Sequence, residues 1–212
     1  VGVDTPAAAE PAPDENALVM FTSGSTGAPK GVVHTHGGLA GKVHQLLEAH
    51  GLDGSDVVLM PAPLAHVSGL LHGVLLPGAA GMRTVLMDRW DPAGALDLIE
   101  AEGVTYMVGP PTFFLGLMDA PGFTPARTTS LRLLSCGGTE VTPEFVERAG
   151  RELGTVVKRS YGSTEAPTVA TSRFDDPPDR MATTDGRALG GTELRIGVDG
   201  EVWVRGPEVA SG

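Results

Sequence analysis

The chain contains the run Phe21-Thr22-Ser23-Gly24-Ser25-Thr26-Gly27-Ala28-Pro29-Lys30-Gly31, which lies between two strand-like stretches, residues 17–21 and 32–33. Glycines permit a tight turn in which successive backbone N–H groups converge on an anion, and the hydroxyl groups add further donors. The lysine in this run supplies a mobile positive charge. The run therefore predicts a loop that binds a polyphosphate.

Two well-known phosphate loops fit this run poorly. A Walker loop has glycine before its lysine and a hydroxyl residue after it, whereas Lys30 lies between Pro29 and Gly31, and the chain has no G-x-G-x-x-G. A flexible Gly/Ser linker has a similar composition. The flanking strand-like stretches and the ending Pro-Lys-Gly favour the phosphate loop over the linker.

Strand-like runs alternate with helical patterns along most of the chain. Thr142 followed by Pro143 is a typical helix start, Asp91-Pro92 is a second one, and Gly51 is placed to end a helix that contains residues 39–47. The alternation predicts an α/β fold with a mostly parallel sheet flanked by helices on both faces. The expected strands are residues 17–21, 57–60, 83–87, 104–108, 131–135 and 155–160.

The pattern changes near the C-terminal end. Residues 193–196 and 201–204 alternate apolar and polar side chains, and Asp199-Gly200 between them is typical of a hairpin turn. We expect a linker or loop over residues 1–16, an α/β nucleotide-binding core over 17–180, and the start of a small β-subdomain over 181–212.

Composition excludes several classes of protein. The chain has 26 acidic and 15 basic residues, a net charge of −11, and no Lys/Arg block, which argues against a nucleic-acid partner. Cys136 is the one cysteine, so no internal disulfide can form, and it is expected to be a packing residue. No apolar run is long enough to cross a membrane and no signal peptide is evident, so a cytoplasmic location is expected.

Four segments together resemble the adenylate-forming superfamily, which includes acyl-CoA synthetases, luciferases and the adenylation domains of peptide synthetases. The resemblance extends from about residue 14 to Gly212. It implies a parent enzyme that joins a carboxylic acid to ATP, forming an acyl-adenylate and pyrophosphate, and then transfers the acyl group to CoA. The segments are the run 21–31, Pro63-Leu64-Ala65-His66-Val67-Ser68-Gly69, Ser135-Cys136-Gly137-Gly138-Thr139 and Ser160-Tyr161-Gly162-Ser163-Thr164-Glu165.

The resemblance also implies roles for individual residues. Lys30 neutralises the departing pyrophosphate, Thr164 hydrogen-bonds the α-phosphate, and Glu165 ligates Mg²⁺; these three are the expected catalytic residues. The ring of Tyr161 is expected to lie against adenine, and His66 and Gly137 are expected to contact the acid. The full expected ATP-binding set is Thr22, Ser23, Gly24, Ser25, Thr26, Gly27, Lys30, Gly138, Thr139, Tyr161, Gly162 and Thr164.

The resemblance covers less than half of a typical member. An upstream subdomain, the ribose-binding aspartate, the hinge and the small C-terminal lid domain lie outside the 212 residues, so the isolated chain is expected to turn over slowly or not at all. Residues 34–36 and 63–71, with Trp90-Asp91-Pro92, resemble ligases for fatty, alicyclic or aryl acids more than peptide-synthetase domains, and CoA is the expected co-substrate. A peptide-synthetase-type domain that loads a carrier protein, and a noncatalytic nucleotide-binding module, are the alternatives.

Two further patterns bear on a zinc site and on a serine hydrolase, and neither function is supported. His34-Thr35-His36 would place two imidazoles on one face of a strand, but no cysteine or spaced carboxylate completes a zinc ligand set. Neither G-x-S-x-G nor S-x-x-K occurs, so a serine hydrolase has no support.

Overall fold

The computed structural model describes residues 10–23 and 27–212. Gly24, Ser25 and Thr26 of the expected phosphate loop, and residues 1–9 of the expected linker, lie outside the described residues. The strands are β1 (Asn16–Thr22), β2 (Lys30–Thr35), β3 (Val57–Met60), β4 (Arg83–Leu86), β5 (Tyr106–Gly109), β6 (Leu133–Gly137), β7 (Val156–Tyr161), β8 (Ala170–Thr171), β9 (Arg187–Ala188), β10 (Glu193–Ile196) and β11 (Val202–Arg205).

The helices connect these strands in the order that the sequence predicts. A π-helical turn, Leu71–Leu75, joins two short α-helices into one continuous segment, and a 3₁₀ turn covers Pro125–Thr128. The α-helices are α1 (His36–His50), α2 (Val67–Leu70), α3 (Leu76–Ala80), α4 (Pro92–Glu102), α5 (Pro111–Met118), α6 (Pro143–Leu153) and α7 (Pro178–Thr183).

Seven strands form the main sheet in the order β4-β3-β5-β6-β7-β8-β9. Every pairing from β4 to β7 is parallel, whereas β8 and β9 add on as short antiparallel strands. The predicted mostly parallel α/β fold is therefore confirmed. The strands β1 and β2 form a separate antiparallel hairpin, with Thr22 paired to Lys30 at the end where the chain connects the two strands.

Helices cover both faces of the main sheet. Neighbouring residues of β3 point to opposite faces, so Leu59 packs in one apolar cluster and Val58 in the other. The first cluster lies under α4, α5 and α6, and the second lies under α1 and the α2–α3 segment. Burial on both faces explains why the strands read as continuous apolar runs in the sequence.

The expected helix ends are confirmed by the capping contacts. Thr142 caps α6 by accepting a hydrogen bond from the backbone N–H of Phe145, and Asp91 caps α4 by accepting from Ala93 and Gly94. Gly51 follows α1 with a φ of 55°, a conformation that costs glycine little.

One local expectation is wrong. Residues 34–36 do not form one strand, because the hydroxyl of Thr35 accepts a hydrogen bond from the Gly38 N–H (3.1 Å) and so starts α1 at His36. The two imidazoles therefore belong to different elements. Cys136 lies in β6, which ends at Gly137; it is fully buried, and burial raises the pKa of its thiol to about 12. The structural role expected for Cys136 agrees with this burial.

The hairpin expected near the C-terminal end is confirmed. Strands β10 and β11 pair in antiparallel fashion outside the main sheet, with Glu193 opposite Arg205. The expected domain boundary after residue 180 falls inside α7, and β9 beyond it still pairs with the main sheet. Of the helices in the described part of the chain, none has both the length and the apolar character to span a bilayer.

Candidate active site

A cavity of about 530 Å³ lies at the carboxyl ends of three parallel strands. Gly109, Gly137 and Tyr161 are the last residues of β5, β6 and β7, and all three line the cavity. Loops that leave this edge of a parallel sheet diverge and leave a crevice, which is where open α/β sheets bind ligands. The fold thus places residues from all four sequence segments singled out above around one cavity.

Two glycines shape the floor at the end of β6. A side chain at Gly137 would bring its Cβ to 2.3 Å from the carbonyl oxygen of Ser160 on the neighbouring strand. Gly138 has a φ of 78°, and a Cβ there would meet no atom within 4 Å. The first glycine therefore allows the strands to approach closely, and the second turns the backbone toward open space where a ligand can contact it.

The segment from Tyr161 to Thr168 forms the site loop, which carries Thr164 and Glu165. It folds back on itself: the N–H of Ser163 donates to the carbonyl of Ala166 at 3.0 Å. A Cβ at Gly162 would lie 2.3 Å from the amide nitrogen of Thr168, so this tight turn requires glycine. Thr168 itself has a φ of 44°, an uncommon conformation for a β-branched residue.

Three distant segments hold the site loop in place. His34 of β2 lies with its Nε2 2.8 Å from the carbonyl oxygen of Thr164. The N–H of Ala210 donates to the carbonyl of Glu165 at 2.7 Å. The ammonium group of Lys42 on α1 donates to the carbonyl of Thr168 at 3.1 Å. The main chain of this loop is therefore fixed from outside, and every residue of the loop except Ala166 lines the cavity.

A buried ion pair holds the side chain of Lys42 in place. The side chains of Lys42 and Glu208 are each 1% exposed, and Nζ of Lys42 lies 3.4 Å from Oε1 of Glu208. Lys42 also donates a hydrogen bond from Nζ to Oε1 of Gln45 at 2.8 Å. The hydroxyl of Thr192 donates to the same carboxylate. Burial lowers the pKa of Lys42, and the carboxylate of Glu208 opposes that shift. These contacts give the charged lysine the partners that a buried charge requires.

The α2–α3 segment forms the opposite wall. His66 caps α2, with its Nδ1 2.8 Å from the hydroxyl of Ser68, and both residues line the cavity. His72, in the π-helical turn, also lines the cavity, and its Nδ1 lies 2.8 Å from the hydroxyl of Tyr106. A π-helical turn within a helix is often found at a functional site.

The cavity brings together most of the expected site residues. Those that line it are Thr22, His66, Gly137, Gly138, Tyr161, Gly162, Thr164 and Glu165. Ser23, Gly27, Lys30 and Thr139 are described and exposed but do not line it, and Lys30 is the first residue of β2. Gly24, Ser25 and Thr26 fall outside the described residues.

Sequence reasoning missed several residues of the lining. Ser160 belongs to the recognised motif but was not assigned to the site, and extending the motif by three residues would have found Pro167 and Thr168. Gly109 and Pro110 follow a strand end, which is a usable signal once the sheet is known to be parallel. No motif identifies His72, because its place depends on the π-helical turn.

Glu165 is the one acidic residue in the described lining of the cavity. No group of three or more His, Cys, Asp or Glu side chains that could hold a metal ion occurs among residues 10–23 and 27–212. Mg²⁺ often binds through one or two carboxylates, with waters and substrate phosphates completing its shell. The site therefore suits a magnesium ion that arrives with a phosphate ligand and does not suit a metal held by protein groups alone.

Comparison with known proteins gives a family match over nearly the whole chain. The model of the family described as AMP-binding enzyme matches residues 2–212. A medium-chain fatty-acid–CoA ligase of Escherichia coli is 38% identical over 209 residues, covering 94% of this chain and 37% of that protein. A 3-[(3aS,4S,7aS)-7a-methyl-1,5-dioxo-octahydro-1H-inden-4-yl]propanoyl:CoA ligase of Rhodococcus jostii is 36% identical, covering 97% of this chain and 40% of that one.

Solved structures agree with this match. ATP-bound MatB from Rhodopseudomonas palustris superposes with a TM-score of 0.86 at 26% identity, covering 95% of this chain and 42% of that chain. The O-succinylbenzoate Coenzyme A synthetase of Bacillus subtilis, in complex with ATP and magnesium ion, has a TM-score of 0.81 at 28% identity, covering 95% and 43%. The 212 residues thus span well under half of the length of each of these four proteins.

Proposed function

This chain belongs to the AMP-binding enzyme family, and from that premise we propose that it is the central, nucleotide-binding part of a longer AMP-forming acyl-CoA synthetase. In the first step a carboxylate oxygen attacks the α-phosphorus of ATP, and the bond to the bridging oxygen breaks to release pyrophosphate. In the second step the sulfur of CoA attacks the acyl carbon, and AMP leaves. The chemistry needs positioning and charge stabilisation more than proton transfer.

The observation that carries this proposal is the cavity itself. It joins the ends of β6 and β7, with Gly138, Tyr161 and Thr164, to the α2 wall that holds His66. One cavity of about 530 Å³ thus contains both the residues assigned to the nucleotide and a residue assigned to the acid. A reaction that joins an acid to a nucleotide requires that proximity.

Within this site, the hydroxyl of Thr164 would donate a hydrogen bond to the α-phosphate, and the exposed carboxylate of Glu165 would hold Mg²⁺. That ion would neutralise charge on the phosphates. The phenol ring of Tyr161, 43% exposed at the end of β7, provides a flat surface for adenine. Lys30 is assigned to the leaving pyrophosphate; it lies at the end of a hairpin whose other strand ends at cavity-lining Thr22.

The proposed substrates are fatty, alicyclic or aryl acids, and the proposed acceptor is CoA. Relatives that are CoA ligases for a medium-chain fatty acid and for a ring-bearing propanoate support that range. The proposed parent protein also contributes an upstream subdomain and a C-terminal lid domain. Loading of a carrier protein is the second candidate, favoured only by the architecture shared with adenylation domains.

The test is pyrophosphate release by the full-length protein, with ATP, Mg²⁺ and a panel of fatty, alicyclic, aromatic and amino acids, with and without CoA. We expect release driven by one class of acid, and acyl-CoA as the product. Glu165→Gln should lower kcat about 100-fold, a loss typical of one electrostatic contact to a transition state. Glu147→Gln makes the same change on exposed α6 and should leave kcat unchanged.

The alternatives give different results. Release driven by amino acids, with transfer to a carrier protein and none to CoA, would identify a peptide-synthetase-type domain. ATP binding without release for any acid would support a noncatalytic nucleotide-binding module. The isolated 212 residues are expected to form acyl-CoA slowly or not at all, and steady turnover by them would contradict the assignment as an incomplete part.

A further inference from the structure

His72 occupies a distinctive place in the wall of the cavity. It is 2% exposed, lies in the π-helical turn Leu71–Leu75, and lines the cavity. The residues assigned to adenine and the α-phosphate come from the ends of β6 and β7, whereas this wall carries His66, which is assigned to the acid. If the proposed function holds, on which this inference rests, His72 faces the acid.

A hydrogen bond with Tyr106 holds the ring of His72 in one orientation. The tyrosine hydroxyl lies 2.8 Å from Nδ1, and the whole tyrosine side chain is buried in the centre of the sheet. Burial raises the pKa of the phenol far above its usual value, so the hydroxyl keeps its proton and can donate it to Nδ1. When Nδ1 accepts this hydrogen bond, the imidazole proton resides on Nε2.

The imidazole is therefore a neutral, fixed donor. Burial lowers the pKa of His72 to about 4, so the ring is uncharged at neutral pH. Tyr106 is itself packed between two histidine rings, with ring centroids 5.9 Å from His72 and 5.8 Å from His50. Among the described residues, Tyr106 is the one hydrogen-bond partner of the His72 side chain. Its Nε2–H remains available to the cavity.

We propose that His72 is a specificity-determining residue, whose Nε2–H donates a hydrogen bond to an oxygen acceptor in the acyl portion of the acid, and that Tyr106 positions it. A buried donor that meets only hydrocarbon stays unpaired, which disfavours that ligand. The favoured substrates are thus carboxylic acids that carry a carbonyl or ether oxygen away from the carboxylate. A site built to hydrogen-bond such an oxygen discriminates against the analogue that lacks it.

The test uses the full-length protein and pairs of acids that differ in one oxygen. The pairs are cyclohexanecarboxylate with its 3-oxo and 4-oxo derivatives, and hexanoate with its 4-oxo and 5-oxo derivatives. We measure kcat/KM by pyrophosphate release. The wild-type enzyme should favour at least one oxo acid over its hydrocarbon partner by about tenfold or more.

Variants assign the preference to the two residues. His72→Leu should reduce the preference to within about twofold, mainly through a lower kcat/KM for the oxo acid. His72→Asn replaces the imidazole donor with an amide donor and should keep part of the preference. This variant provides the test if His72→Leu does not fold. Tyr106→Phe should weaken the preference several-fold while leaving the KM for ATP unchanged. His44→Leu makes the same change on exposed α1 and should leave the preference as in the wild type.

The outcomes separate this inference from the proposed function. If none of the acids drives pyrophosphate release, both the inference and the proposed function are overturned. Release with no wild-type preference for any oxo acid, or a His72→Leu variant that lowers kcat/KM equally for both members of a pair, would overturn the inference and leave the proposed function in place.

Discussion

The Nε2 of His34 lies 2.8 Å from the carbonyl oxygen of Thr164, joining strand β2 to the site loop. The two residues are 130 positions apart in the chain. Because β2 begins at Lys30, directly after the expected phosphate loop, one hydrogen bond links the two segments assigned to opposite ends of the triphosphate.

His34→Ala is expected to weaken ATP binding and to destabilise the fold. His34 is 2% exposed, and its removal leaves the carbonyl of Thr164 without this donor, a loss of about 1–3 kcal/mol. Calorimetric titration of the full-length protein with ATP, together with urea unfolding, measures the two effects. His44→Ala on the exposed side of α1 is the control, and equal losses in both variants would refute the prediction.

Gly162→Ala is expected to abolish acid-dependent pyrophosphate release while the protein stays folded. The added Cβ would lie 2.3 Å from the nitrogen of Thr168, so the site loop must change shape. Gly150→Ala in α6 is the matched control, since its Cβ meets nothing closer than 3.5 Å. That variant should be fully active and more stable by about 0.5–1 kcal/mol. Full activity of Gly162→Ala would show that the loop tolerates a side chain.

The Asp56–Arg132 pair is expected to make stability depend on acid pH. Burial opposes ionisation of Asp56, but two hydrogen bonds from Arg132, at 2.6 and 2.7 Å, and one from Thr105 hold its pKa below the usual value. Between the two pKa values the unfolded chain binds more protons, so the free energy of unfolding rises with pH. This contribution is complete above about pH 4 and is lost as pH falls through the folded-state pKa.

Urea unfolding of the wild type and of Asp56→Asn from pH 3 to pH 7 tests this dependence. The variant should be less stable by about 2 kcal/mol at pH 7, and the difference should shrink toward pH 3. A difference that is constant with pH would assign the effect to packing and not to the charge of Asp56.

Lys158 is expected to give a gain in stability at alkaline pH. It is fully buried, its ammonium group donates to the carbonyl of Ala49 at 2.6 Å and lies 3.4 Å from the centre of the Phe174 ring. Burial lowers its pKa to about 8, below that of an unfolded lysine. From about pH 8 to 10 the unfolded chain retains the proton that the folded chain loses, so unfolding becomes more costly by about 1 kcal/mol per pH unit.

Comparison with Lys158→Met isolates this effect from other groups that titrate in the same range. From pH 7.5 to pH 9.5, the free energy of unfolding of the wild type should increase relative to that of the variant. No change across that range would mean that Lys158 stays protonated in the folded protein.

The sequence predicts the main sheet well because its strands are buried on both faces. Residues 57–60 were predicted and found as β3, and the other predicted strands differ from β4 to β7 by one or two residues at their ends. The two-residue strands β8 and β9 carry no periodic signal, since two residues cannot show a period. His36 was wrongly expected to continue the strand, because Thr35, a β-branched residue suited to a strand, also caps helix α1.

The site could be predicted only in part. Tyr161–Glu165 and Gly137-Gly138 are local motifs, and their side chains or backbone line one cavity as the motifs indicate. The contact between Lys42 and Glu208 joins residues 166 positions apart, and that of His72 with Tyr106 depends on a π-helical turn. Pairings of this kind follow from how distant elements pack, which no single stretch of sequence encodes.

The contacts that hold the site loop also constrain the order in which parts of the protein can fold. The loop spans residues 161–168, yet it is tied to His34, Lys42 and Ala210, which come from both sides of it in the chain. Contacts between such distant segments form late, because the entropy of closing long loops must be overcome first. During synthesis on the ribosome, the site loop is therefore expected to reach its final shape only after residues 208–210 have emerged, when the sheet beneath it can already be assembled.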